Sequence, residues 1–163
     1  MALMNGTTGV VSQNMKDGKR VYVAGFLLLG DGVLLVRKNR PEWQAKYLNG
    51  IGGEVLPNEE PDVAMVREFK EEVGIEITDW NLFANEEGPG YEVYFYRCRL
   101  PRNYLGSFNK VNDVGEELEW HPHRYVRDPM IGNLNWLLPL ASDPREIIVM
   151  AKTTSDIRRI GTW

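Results

Sequence analysis

The sequence predicts an α/β fold of the α+β kind, a sandwich in which helices pack on a sheet. Three observations predict it. "VYVAGFLLLG" followed by Asp31-Gly32 and "VLLVRK" is an apolar hairpin. "YEVYFYRCRL" alternates strongly, as a half-buried strand does. Between and after these strands lie two stretches of helical period, Pro61 to Val73 and "IGNLNWLLPLAS".

The elements follow in order. The first strand covers 21–30 and its hairpin partner 33–38. "NRPEWQAKYLNGIGG" reads as a loop rich in turn residues. The first helix can hold Pro61 in its opening turn, where a missing N–H costs little, and Gly74 can end it. At 100° per residue, Val63, Val66, Phe69 and Val73 share one face. Glu68, Glu71 and Glu72 share nearly the opposite one. Residues 76–84 read as a strand, "NEEGPG" as a turn, 91–100 as a long strand and 101–115 as a polar loop. "EELEWHPHRYV" is a short strand running into irregular chain. Pro139 cuts short or kinks the second helix. "REIIVMAKTT" closes the sheet, and the last residues fray.

Composition bounds the function. A chain of 163 residues is one domain of ordinary size, 1–163, with 1–19 as an N-terminal extension, and 43% hydrophobic residues suffice for a core. The net charge of -4 argues against a duplex nucleic-acid binder. Cys98 is the single cysteine, so no intrachain disulfide or cysteine zinc site is expected, which suits a reducing, cytoplasmic setting. Cys98 itself reads as a half-buried strand residue. No signal peptide or membrane span is expected. Oligomeric state is open between monomer and homodimer.

The chemistry concentrates in "GGEVLPNEEPDVAMVREFKEEVGIEI". Three acids crowded on one helix can be a solvated face, because like-charge pairs there cost only a few tenths of a kcal/mol each. They can also converge on hard divalent cations, which want several carboxylate oxygens. The surrounding residues decide. Gly53 is followed by five residues and Glu59, then seven residues, then Arg67-Glu68, apolar Phe69, Lys70, Glu71-Glu72, Val73, Gly74 and apolar Ile75. This resembles the Nudix signature at every specified position over 23 residues.

The resemblance implies a sandwich with a mixed central sheet between two main helices. It also implies Mg2+-dependent hydrolysis of a pyrophosphate bond in a nucleoside diphosphate derivative, with Mn2+ as a substitute. Glu71, Glu72, Glu68 and the carbonyl of Gly52 are the implied metal ligands, with Gly52 and Gly53 allowing close backbone approach. Arg67 and Glu59 are implied to pair and brace the loop on the helix. The general base stays open among Glu68, Glu116 and Glu117.

Substrate marks lie outside the signature. "KYLNGIGGEV" is similar to a segment of MutT-like, oxidised-purine nucleoside triphosphatases, which points to Asn49 as a base contact. Tyr47-Leu48 departs from that pattern. Trp120 and Trp136 are stacking candidates, each weighed against a place in the core. Pro89 and Tyr91 resemble marks of ADP-ribose and dinucleoside-polyphosphate hydrolases, and "GPGY" is equally a sensible turn. His121 and His123 read as surface residues. A nucleoside triphosphate is the favoured substrate and ADP-ribose the runner-up. A nucleotide-binding regulatory module and an mRNA-decapping enzyme are the remaining alternatives, the last disfavoured by the acidic balance.

Overall fold

The computed structural model describes residues 15–154. Eight strands form one sheet, and a helix covers each face. The strands are β1 (Met15–Lys16), β2 (Lys19–Leu29), β3 (Gly32–Arg37), β4 (Leu48–Asn49), β5 (Asn81–Gly88), β6 (Tyr91–Leu100), β7 (Glu117–Pro122) and β8 (Val149–Lys152). The helices are α1 (Pro61–Val73) and α2 (Leu134–Ser142), with a single 3-10 turn at Glu42–Gln44. The main path runs β4-β3-β2-β6-β5-β8, with β1 added on β2 and β7 on β3. The sheet is mixed, because β2 and β6 run parallel, as do β5 and β8, while the other pairs are antiparallel.

Alternation along β2 sends Val21, Val23 and Leu27 to the α1 face and Ala24, Phe26 and Leu28 to the α2 face. Val23, Phe26, Leu27 and Leu28 are buried to within 2% exposure. With both faces covered, β2 reads as a continuous apolar run rather than as alternation. β2 pairs with β3 only near the hairpin, from Leu27 to Leu29. Further back, the segment Gly50–Val55 runs beside β2 instead, through Gly25 N to Ile51 O at 2.7 Å, Val23 N to Gly53 O at 2.9 Å and Val55 N to Val21 O at 2.9 Å. That fixes Gly52 and Gly53 over the sheet.

Several expectations change. The strand read at 76–84 is paired only over Asn81–Gly88. Trp80 explains the shift: it donates from Nε1 to the Ile77 carbonyl at 2.9 Å and packs edge-on against Phe69, so this stretch serves the helix. Asn85 to Gly88, read as turn, are ladder residues, leaving Pro89 and Gly90 as the connection. The loop at 39–53 contains the 3-10 turn and β4. The closing strand is limited to Val149–Lys152. α1 begins and ends where expected, with Gly74 in the left-handed region at φ 84°. Its core face is Ala64, Met65, Phe69 and Val73, while Val63 is 58% exposed and Val66 half-buried. Cys98 is buried on β6. The N-terminal extension up to residue 14 and the terminal residues expected to fray lie outside the described residues. Among the described residues no helix is long and apolar enough to cross a membrane.

Candidate active site

α1 presents its acids unequally. Because the core face is centred on Met65 and Phe69, Glu68 and Glu72 lie at its border and not opposite it. The Glu68 carboxylate rests on Gly53, where an added Cβ would meet its Oε2 at 2.5 Å. A Cβ on Gly52 would meet the Val23 carbonyl oxygen at 2.1 Å, so that position has no room for a side chain. Glu71 is the outward acid, its side chain 56% exposed.

Arg67 ties this loop to the helix. It forks onto Glu59, Nε to Oε1 at 2.8 Å and Nη2 to Oε2 at 2.9 Å. Its Nη1 donates to Glu68 Oε1 at 2.7 Å and Glu71 Oε2 at 3.3 Å, and its Nη2 to the Glu54 carbonyl at 3.1 Å. Glu59 also accepts from Leu56 N at 2.8 Å. The guanidinium holds the Glu59 carboxyl below the usual carboxylate range. Burial pushes Glu68 up, against the pull of Arg67.

Glu72 is the most perturbed acid. Burial, opposed by Lys38 and aided by Glu116 and Glu68, pushes its pKa up to about 7. Its Oε2 is buried with no hydrogen-bond partner. Nearby Glu116 is 2% exposed and accepts from Lys38 Nζ at 2.9 Å, Asn39 N at 3.1 Å and Asn112 Nδ2 at 3.1 Å. Burial would raise the Glu116 pKa, but Lys38 and the amides outweigh it and hold it low. Glu117, its neighbour in the sequence, is exposed on β7. The structure therefore brings Glu116 to the acids of α1 and leaves Glu117 outside.

Beside these acids opens a cavity of about 830 Å³. Its wall carries Arg20, Lys38 and Arg40 and no acidic residue, with Trp43, Tyr91 and Phe95 among its aromatics. Gly52 and Gly53 join it to the acids. Asn49 lines it too, but its amide is engaged: Oδ1 accepts from Gly50 N at 2.8 Å and Nδ2 donates to Gln44 Oε1 at 3.3 Å. Neither Trp120 nor Trp136 lines it. Trp120 packs edge-on to Phe108 on the α1 side of β7, and Trp136 packs behind Phe95. Trp43 and Phe95 are aromatics of the wall that the sequence analysis did not single out. Pro41 and Trp43 in "RPEWQ" were the available signal, a proline-started turn carrying a tryptophan.

The histidines are less exposed than expected. His121 Nε2 lies 3.0 Å from Glu119 Oε2, and His123 Nδ1 is buried without a partner. Glu119, His121 and Asp128 also gather three potential ligand atoms. Arg37 already offsets one of the two carboxylate charges, bonding Glu119 at 2.8 Å and Asp128 at 2.7 Å from Nη2.

A two-faced sandwich in which a glycine loop and a braced acidic helix adjoin a cationic cavity defines one class of α+β protein. The chain belongs to the Nudix family: the NUDIX domain model matches residues 18–138. It is similar to the RNA pyrophosphohydrolases of Pseudomonas putida (strain GB-1) and Pseudomonas fluorescens (strain SBW25), each 32% identical over 113 residues, 68% of this chain and 64% of the relative. The chain thus spans less than two thirds of the length of those relatives. Its fold is similar to that of a MutT protein from Bacillus halodurans, at TM-score 0.66 and 20% identity over 85% of this chain and 92% of that one. An ADP-ribose pyrophosphatase from Streptococcus suis 89-1591 shares the fold at TM-score 0.63 and 18% identity, over 80% and 98% of the two chains.

Proposed function

We propose that this chain is a divalent-cation-dependent pyrophosphohydrolase acting on a nucleoside triphosphate, giving a nucleoside monophosphate and pyrophosphate. One observation carries the reading: a buried, under-satisfied cluster of carboxylates meets a cationic, aromatic-lined cavity at Gly52 and Gly53. A volume of about 830 Å³ lies in the range of small-ligand sites.

The donor set fits a hard dication. Glu72 Oε2 lacks a partner, and Glu68 is held against Gly53. Glu68, Glu72 and the Gly52 carbonyl would hold Mg2+, or Mn2+ in its place, with Glu71 completing the set from outside. When bound, the ion supplies charge neutralisation for the phosphates and acidifies water. Arg67 and Glu59 keep the loop and helix in register. Lys38, Arg20 and Arg40 attract the phosphate chain, and Trp43 and Phe95 offer faces for a base. Glu116, kept ionised by Lys38 and two amides, and Glu68 are the two candidates for taking a proton from the attacking water.

The test is a panel of nucleotides, ADP-ribose included, incubated with and without Mg2+, with products identified, on wild type and Glu72→Gln. Mg2+-dependent release of nucleoside monophosphate and pyrophosphate, lost in the variant, is expected. Binding without turnover of any member would make the chain a nucleotide-binding module. The relatives named as RNA pyrophosphohydrolases favour a second reading, in which the cleaved pyrophosphate bond is at an RNA end. Faster cleavage of a short 5′-triphosphorylated RNA than of the free nucleotide would select it.

A further inference from the structure

The loop between β6 and β7 closes on the end of α1 as a small hairpin. Asn109 N donates to the Val73 carbonyl at 3.1 Å, which ties the loop to the helix. Leu118 N donates to the Lys110 carbonyl at 2.9 Å, and Val111 pairs with Glu117. Inside that frame Asn112 N donates to the Glu116 carbonyl at 2.9 Å, and Gly115 N to the Asn112 carbonyl at 3.1 Å.

Asn112 is buried, 6% exposed, and its side chain has two separate tasks. Its Oδ1 accepts from Glu116 N at 2.8 Å and Val114 N at 3.2 Å, which shapes the turn. Its Nδ2 donates to Glu116 Oε2 at 3.1 Å. The two backbone N–H groups need the amide oxygen, so the NH2 must face the carboxylate. The other donors to Glu116, Lys38 Nζ and Asn39 N, come from the segment that follows β3. Asn112 thus holds Glu116 from within its own hairpin. Burial dominates at the neighbouring Glu72, and the Asn112 amide is among the groups that oppose it.

We propose that Asn112 is a positioning residue for the hydrolysis and acts through Glu116, whose carboxylate it holds beside the acids of α1. The proposal rests on the pyrophosphohydrolase reading, with Glu116 taking part in the reaction. An aspartate at position 112 separates the two tasks. It keeps an oxygen for the two backbone N–H groups, and so keeps the turn. It also sets a second carboxylate against Glu116 where the amide donor stood, and like charges at that distance repel.

The experiment measures kcat and KM with Mg2+ for wild type, Asn112→Asp, Glu116→Gln and the double variant, on the nucleotide that wild type cleaves best, with a thermal melt of each. Asn112→Asp should lower kcat by about tenfold or more and leave KM little changed. On the Glu116→Gln background the same substitution should cause no further loss of kcat, because the carboxylate that Asn112 holds is already gone. Wild-type kcat in Asn112→Asp or in Glu116→Gln overturns the proposal. So does an undiminished loss on the Glu116→Gln background, which would place the effect of Asn112 on Glu72. Additive losses that follow the melting temperatures overturn it too, since they describe a structural role alone. Asn112→Ser, which keeps an oxygen for the turn and lacks the amide donor, repeats the cycle if Asn112→Asp misfolds. Each of these failures leaves Mg2+-dependent turnover by wild type, and with it the pyrophosphohydrolase reading, intact. Absence of nucleotide turnover in wild type overturns the two together.

Discussion

Glu72 shows how far one residue can be set against its surroundings. Its pKa is pushed up to about 7, so the folded chain holds the proton more tightly than the unfolded chain, whose carboxyl titrates near 4.5. The sign follows from linkage: stability from this group is full below pH 4.5 and is lost as pH rises through 7. Metal-free wild type should lose roughly 2–3 kcal/mol across that window relative to Glu72→Gln, at about 1.4 kcal/mol per pKa unit. Denaturant titrations in chelator at several pH values check this, and parallel slopes for the two proteins would refute it. Mg2+ should restabilise wild type at neutral pH and leave Glu72→Gln unmoved. The same variant should lose at least about a hundredfold in turnover, since under the proposed function it removes one of the carboxylates that would hold the ion. Glu71→Gln should lose less, because Glu71 is 56% exposed and touches Arg67 only at 3.3 Å. That these acids share one helix next to the glycine loop was legible in the sequence through their spacing from Gly53 and Glu59. Their inequality was not, because burial of Glu72 depends on Lys38 and Glu116, which reach it from distant segments.

At the scale of the element, α1 separates what is local from what is not. Its bounds follow from Pro61 and Gly74, residues that act on their own backbone. Its buried face does not follow from valine positions, because the sheet selects Ala64 and Met65, and Met65 lies within 3 Å of where a Cβ on Gly25 would be. Phe69→Ala should therefore cost about 3–5 kcal/mol, and Val63→Ala about 0.5 kcal/mol or less. Equal losses in thermal melts would restore the face inferred from the valines. Arg67 belongs to the same scale, since it joins helix to loop through a planar fork that lysine cannot reproduce. Arg67→Lys should weaken Mg2+ affinity or turnover by about 10- to 100-fold. A metal titration followed by activity measures it, and wild-type values would remove Arg67 from the bracing role.

The whole molecule depends on pairings that no local pattern carries. β2 and β6 lie side by side and parallel although some seventy residues separate Arg20 from its partner Tyr91. That neighbourhood makes the cavity, because Arg20 comes from β2 while Tyr91 and Phe95 come from β6. The strands themselves could be read from alternation, but the order of the sheet could not. α2 is fixed by a similarly remote device. Arg97 of β6, 8% exposed, donates to the carbonyls of Leu140, Ala141, Asp143 and Arg145 at 3.1, 3.3, 2.6 and 2.7 Å. Arg99 adds bonds to Ala141 and Asp143 at 3.0 and 2.8 Å, from a more exposed position. The last carbonyls of a helix have no partners within it, and a cation there also opposes the helix dipole favourably. Arg97 therefore docks α2 on the sheet, and α2 in turn continues the cavity wall from Ile131 and Asn133. Arg97→Met should destabilise the protein by about 2–4 kcal/mol, because buried carbonyls lose charged donors. Arg99→Met, at the solvent edge, should cost about 1 kcal/mol or less. Nucleotide KM should rise in Arg97→Met more than kcat falls, because the cavity wall moves while the acids of α1 stay on the opposite face of the sheet. Denaturation curves and steady-state kinetics on both variants decide it, and a kcat loss without a KM change would mean that α2 and the acids of α1 are coupled directly.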